Sequence, residues 1–132
     1  MGDPRRLETG RTSAQHAGDT AEALVASGLV DAGWTVLARN VHVGRHELDL
    51  VATDPGPPAT LVIVEVRWRA RRDFGLAEET VDRRKQARLR QAAFSLLDRG
   101  ELPHLPLRFD LVVVEPGKRG GVPIVRHHRA AF

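Results

Sequence analysis

This sequence predicts an α/β sandwich, a mixed sheet flanked by helices, and three observations support that reading. Apolar residues at helical spacing come first. Three runs of strand character follow, then a second helical stretch and two more strand runs. No segment repeats and no tract is of low complexity. At 132 residues the chain reads as one domain with room for a real core.

Residues 1–17 are polar and lack an apolar period, so they read as a flexible leader to a domain over 18–132. Ala21, Leu24, Val25, Gly28, Leu29 and Ala32 then recur at helical spacing and stop at Gly33, with Asp19 as the N-cap. Glu22 falls at the edge of that stripe, where a first-turn glutamate is favoured by the helix dipole. Residues 34–43, WTVLARNVHV, alternate in the manner of a strand, and Gly44 and Arg45 turn the chain.

The central hairpin is the most informative stretch. ELDLVAT and TLVIVEVRWR are strands, joined by the turn-forming Asp54, Pro55, Gly56, Pro57, Pro58 and Ala59. With a side-chain period of two, Glu47, Asp49 and Val51 share one face of the first strand. Ile63, Glu65, Arg67 and Arg69 share one face of the second. Folding about the loop sets Asp49 level with Glu65. Two carboxylates facing each other repel, so either a basic side chain neutralises them or a divalent metal does.

The second helix is expected from about Glu79 to Arg99, with Val81, Leu89, Ala92, Ala93, Leu96 and Leu97 on one stripe. Arg83, Arg84, Arg88 and Arg90 lie off the stripe. Lys85 lies on it, pointing toward the sheet, where an ammonium needs a partner. Pro103 and Pro106 end that element. LRFDLVVVE (107–115) is a strand buried on both faces, GKRGG turns the chain, and VPIVRHH is a short edge strand. His127 and His128 read as a solvated basic tail, and Trp34 and Trp68 as packing residues.

Composition excludes some chemistry. Without cysteine there are no disulfides, no thiolate nucleophile and no Cys-bound zinc, which fits a cytoplasmic protein. The start MGDPRRLETGRTSAQHAG has no apolar core to make it a signal peptide, and no run is long enough to span a membrane. The net charge of +3, from 18 arginines, two lysines and 17 acidic residues, permits an anionic partner without requiring one.

Asp49, fifteen residues, then Glu65-Val66-Arg67 is similar to the core of the PD-(D/E)XK nuclease superfamily, in which an Asp ends one strand and a Glu-x-Lys lies on the next. More specifically, the chain resembles the YraN family of small bacterial proteins, linked to Holliday-junction resolvases. The matching pieces are Glu22, ARN (38–40), ELDLVA, VIVEVRWR, Phe74-Gly75, VDRRKQ, RFDLVVV and the final AAF.

The resemblance implies a restriction-endonuclease-like three-layer sandwich around a mixed five-stranded sheet. It implies Asp49, Glu65 and the Val66 carbonyl as ligands for Mg2+ or Mn2+, with Glu22 reaching in from the first helix. Arg67 stands where the family usually carries a catalytic lysine, and Lys85 is a candidate replacement. His46 replaces the glycine usual before Glu47. The implied activity is phosphodiester hydrolysis of structured or branched DNA, by a homodimer as in resolvase-like relatives. A non-catalytic nucleic-acid-binding module and a structural adaptor are the other readings. Arg69, Arg71, Arg72, Arg83, Arg84 and Arg88 would form a phosphate-backbone track on either side of the carboxylates.

Overall fold

The computed structural model describes residues 13–69 and 81–132. The elements are α1 (Ser13–Asp31), β1 (Thr35–Val43), β2 (His46–Asp54), β3 (Thr60–Trp68), α2 (Arg83–Asp98), β4 (Leu107–Glu115) and β5 (Ile124–His128). The strands form one sheet in chain order, β1-β2-β3-β4-β5. Every neighbouring pair is antiparallel except β3 and β4. That parallel pair needs a crossover, and the chain supplies it through α2.

The sheet separates two apolar layers. On one face Ala21, Val25, Ala26 and Leu29 of α1 pack on Leu50, Ala52, Val62, Val64, Val112 and Val114. On the other, Leu89, Ala92, Ala93 and Leu96 of α2 pack on Leu48, Val51, Ile63, Leu111 and Val113. The expected three-layer sandwich is therefore what forms. β3 and β4 are covered on both faces, which explains why each reads as a continuous apolar run.

Two helix boundaries differ from the expectation. α1 begins at Ser13, so Asp19 lies inside it and does not cap it. Ala14, Gln15 and Ala17 favour helix, and no proline interrupts them. The expected start of the second helix at Glu79 lies outside the described residues, and α2 runs from Arg83. Its N-cap is Asp82, which accepts the backbone N–H of Lys85 at 2.9 Å. Val81 precedes the helix yet is buried, completing the apolar layer on that side.

The β4–β5 side of the sheet is fastened by a buried polar cluster. Asp110 is fully buried and accepts from Arg108 Nε at 2.8 Å, Arg108 Nη2 at 2.9 Å and the Ala130 N–H at 3.0 Å. His127 Nε2 lies 2.8 Å from it, so His127 belongs to this cluster and not to a solvated tail. Arg108 also reaches Asp54 at 3.0 Å, tying β4 to the β2–β3 loop. Burial opposes the charge on Asp110, but the bonds from His127, Arg108 and Ala130 outweigh it and hold the carboxyl at about 2. An ionised carboxylate only accepts, so Nε2 of His127 carries the proton.

Asp110→Ala leaves Arg108 and His127 without their acceptor and should cost about 3–5 kcal/mol in urea unfolding at neutral pH. The native pKa is depressed, so this contribution is present above the ordinary value of 3.8 and fades as pH falls toward 2. A loss under about 1 kcal/mol at pH 7 would show that the cluster does not hold the sheet.

Candidate functional site

The β2–β3 side of the sheet is built differently. Pairing between β2 and β3 runs from Asp54↔Thr60 to Leu50↔Val64 and stops. Continued one step, it would set Asp49 opposite Glu65, the level expected from the sequence. The strands diverge there, and the Val66 N–H donates to Asp49 Oδ2 at 2.9 Å. A side-chain carboxylate thus takes the place of a ladder acceptor. Within a strand the N–H and C=O of one residue point the same way, so the Val66 carbonyl also faces this fork.

Glu65 is buried on the α2 side of β3, with Lys85 Nζ in direct contact with its Oε1. This is the partner that Lys85 required. Arg67 is half-buried, stands opposite Val113 in the β3–β4 register, and lies on the Glu65 side by strand alternation. Glu22 comes from α1, on the other face. It is buried, and its Oε1 meets no hydrogen-bond donor among the described residues.

A cleft of about 480 Å³ opens at the fork, lined among others by Asp19, Glu22, Asn40, His42, Glu47 and Asp49. Among the described residues no lysine or arginine lines it. Burial pushes the Asp49 carboxyl up to about 7, and Glu65 and Glu22 push the same way against the Val66 N–H and Lys85. Burial likewise raises Glu22 to about 7, helped by Glu47, Asp19 and Glu65 and opposed by Arg39.

Among the described residues no three His, Asp or Glu side chains converge on one ion. Asp49 meets the Val66 backbone at the fork, and Glu65, next to Val66 on β3, is near enough to push the Asp49 carboxyl up. Oxygen donors of this kind suit an ion such as magnesium, which is held by one or two carboxylates and keeps several waters. The unpartnered Glu22 oxygen adds an acceptor beside it.

The structure thus brings together Glu22, Asp49, Glu65, Val66 and Lys85, with Arg67 on the same strand. It does not bring Arg69 to a surface track. That guanidinium is buried and lies 4.0 Å from Glu115 Oε1, because β4 continues beside it and carries a buried carboxylate there. Arg83, Arg84 and Arg88 are exposed on α2. Arg71 and Arg72 lie outside the described residues. Asn40 and His42 line the cleft unannounced by any metal-ligand spacing. The signal for Asn40 is its place opposite Asp49, with a φ of 51° that asparagine tolerates better than most residues.

Sequence comparison reaches the same residues. The model of Uncharacterised protein family UPF0102 matches residues 21–114, from the helix carrying Glu22 through β4. The chain belongs to UPF0102, the YraN family. A UPF0102 protein of Bifidobacterium longum subsp. infantis is 40% identical over 87% of this chain and 91% of its own length. A UPF0102 protein of Bordetella petrii is 40% identical over 91% of this chain and 72% of its own. One from Roseiflexus castenholzii is 38% identical over 90% and 93%. No helix among the described residues is long and apolar enough to cross a membrane.

The raised carboxyls set a pH dependence with a definite sign. A carboxyl whose pKa is higher in the folded state adds stability below its unfolded value. That stability is lost as pH rises through the folded value. For Asp49 and Glu22 this window runs from about 4 to about 7. In chelator, Asp49→Asn should therefore raise the melting temperature at pH 8 and leave it nearly unchanged at pH 4. An equal shift at both pH values would mean that the Asp49 charge is not the destabilising element.

Proposed function

We propose that this protein is a metal-dependent endonuclease acting on structured or branched DNA. The observation that carries the proposal is the fork itself. Asp49 accepts the Val66 N–H where β2 and β3 part, Glu65 stands next to Val66 on β3, and an ammonium touches that second carboxylate. The family resemblance, which covers these same positions, supplies the substrate class.

Asp49, Glu65 and the Val66 carbonyl would hold Mg2+ or Mn2+. When bound, such an ion polarises a phosphoryl oxygen and acidifies a coordinated water. The protein's own contribution is positional. The Val66 N–H fixes Asp49, so its carboxylate needs no reorganisation to accept a cation. Glu22 sits across the cleft with a buried, unpartnered oxygen, placed to accept a proton or a water hydrogen bond. Lys85 is the ammonium that can stabilise charge on a phosphoryl group. Arg67 can add charge, but a guanidinium cannot give up a proton in a protein.

One observation favours a second reading, in which the fold binds nucleic acid without cutting it. Glu65 already has a counter-ion in Lys85, so the carboxylate is stable without metal. Cleavage separates the two. Linear, flapped and four-way DNA should be cut with manganese and not with chelator. Lys85→Ala should lower the rate by about 100-fold or more while DNA affinity stays nearly constant, since the contact forms in the transition state. Arg67→Lys should raise the rate. Manganese-independent silence of the wild-type chain on all three substrates would leave the binding module as the function.

A further inference from the structure

The polar side of α2 is not uniform. Arg84, Arg88, Gln91, Ser95 and Arg99 follow one another at spacings of four, three, four and four, so they form one row along the helix. Arg99, the C-cap, keeps helical backbone angles and continues the row. The turn between β1 and β2 carries Arg45 and His46 against the far end of it. Together with Gln91, Ser95 and Arg99 they line a groove of about 390 Å³. Among the described residues no carboxylate, tryptophan or phenylalanine lines that groove.

At the near end of the row, Asp82 bears on Arg84 and Arg88. Lys85 lies beside Arg84 and touches Glu65, so the row starts at the carboxylate fork. Arg83 falls on the opposite flank, in line with Arg90 and Phe94. Arg90 is engaged there, its guanidinium 4.9 Å from the Phe109 ring centre. The exposed arginines of α2 thus divide into two flanks, and only one leads from the fork to the groove.

We infer that the row of Arg84, Arg88 and Arg99, completed by Arg45 across the groove, is a binding track for the phosphodiester backbone of a nucleic acid. The inference deepens the nuclease reading by fixing how a strand leaves the carboxylate fork. From Arg84 to Arg99 the helix rises about 22 Å. That length matches about six phosphates of one strand at about 3.4 Å of axial rise each. Guanidinium forks suit phosphate oxygens, and Gln91, Ser95 and His46 add neutral hydrogen-bonding groups between them. Without a large aromatic ring to stack a base, this surface reads charge and spacing and leaves sequence unread.

The track is tested by binding in chelator, where no cleavage intervenes. The probe is a fluorescent 30-base-pair duplex titrated across a series of salt concentrations. A variant carrying Arg45→Ala, Arg84→Ala, Arg88→Ala and Arg99→Ala should lose about 0.9 of log–log salt slope per contact removed, about three to four in all. Arg90→Ala with Arg119→Ala, two exposed arginines off the row, should leave the slope unchanged. An unaltered slope in the four-site variant, or an equal loss per arginine in the control, overturns the track. Circular dichroism of each variant confirms that it is folded. If the wild-type chain shows the slope yet never cleaves with manganese, the track stands and the nuclease reading falls. If the four-site variant still cleaves with its slope intact, the track falls and the nuclease reading stands.

Discussion

The hydrogen bond from the Val66 N–H to Asp49 is the constraint on which the site depends. A backbone N–H at the end of a ladder must find an acceptor, and the usual one is the next carbonyl of the neighbouring strand. Here a carboxylate intercepts it. The strands are then free to part, and the gap between them becomes a cleft that water, a cation or a phosphate can enter. The same bond immobilises Asp49. A residue that would otherwise be a mobile acid on a strand becomes a fixed wall of the cleft, held by the backbone it helped to separate.

Fixing a carboxylate in a half-buried place raises its energy, and the sheet deals with this in opposite ways on β4 and on β2. Asp110 is more deeply buried than Asp49, yet its carboxyl is driven down to about 2 because Arg108, His127 and the Ala130 N–H surround it. Asp49 has the Val66 N–H and a distant contribution from Lys85, set against Glu65 and Glu22, and is driven up to about 7. Burial alone does not separate these two fates. The supply of positive partners does. A fold that satisfies a buried carboxylate so completely on β4 leaves, among the described residues, a cluster short of positive charge two strands away. A shortage of that kind, in an open cleft, is what a bound cation would relieve.

Part of this site was legible in the sequence because it rests on local pattern. Folding about a loop that was plain from its prolines put Asp49 level with Glu65, and helical spacing aimed Lys85 at the sheet. The period of two did not carry through β2, where Leu48 and Val51 pack on the α2 side and Leu50 and Ala52 on the α1 side, so Asp49 does not share a face with Val51 as expected. What escaped depends on distant segments. Asp110 sits in a run that reads as apolar, and its partners come from Arg108 on its own strand, His127 on β5 and Ala130 beyond it. Arg69 looked like one more surface arginine, since nothing local says that Glu115 lies buried alongside it. The split of the α2 arginines into two flanks was latent in their spacing. It took the β1–β2 turn, closing over Gln91 and Ser95, to show which flank forms a groove.

The departure at Arg67 can be understood through the same geometry. An ammonium on β3 would be placed by the strand itself, with little freedom. An ammonium on α2 is placed by the helix, and this helix begins where Asp82 accepts the backbone N–H of Lys85. One residue is therefore held at both ends: its backbone by the cap, its side chain by Glu65. The cap fixes the start of α2 against the sheet, and the flexible four-carbon stem covers the remaining distance. Under the nuclease proposal the compact charge would come from Lys85, which reaches Glu65 from the α2 layer, and the guanidinium on β3 would add charge alone. The site is thus assembled across all three layers of the sandwich, with Glu22 from one helix, Asp49 and Glu65 from the sheet, and Lys85 from the other helix. Its integrity is tied to the packing of the whole domain.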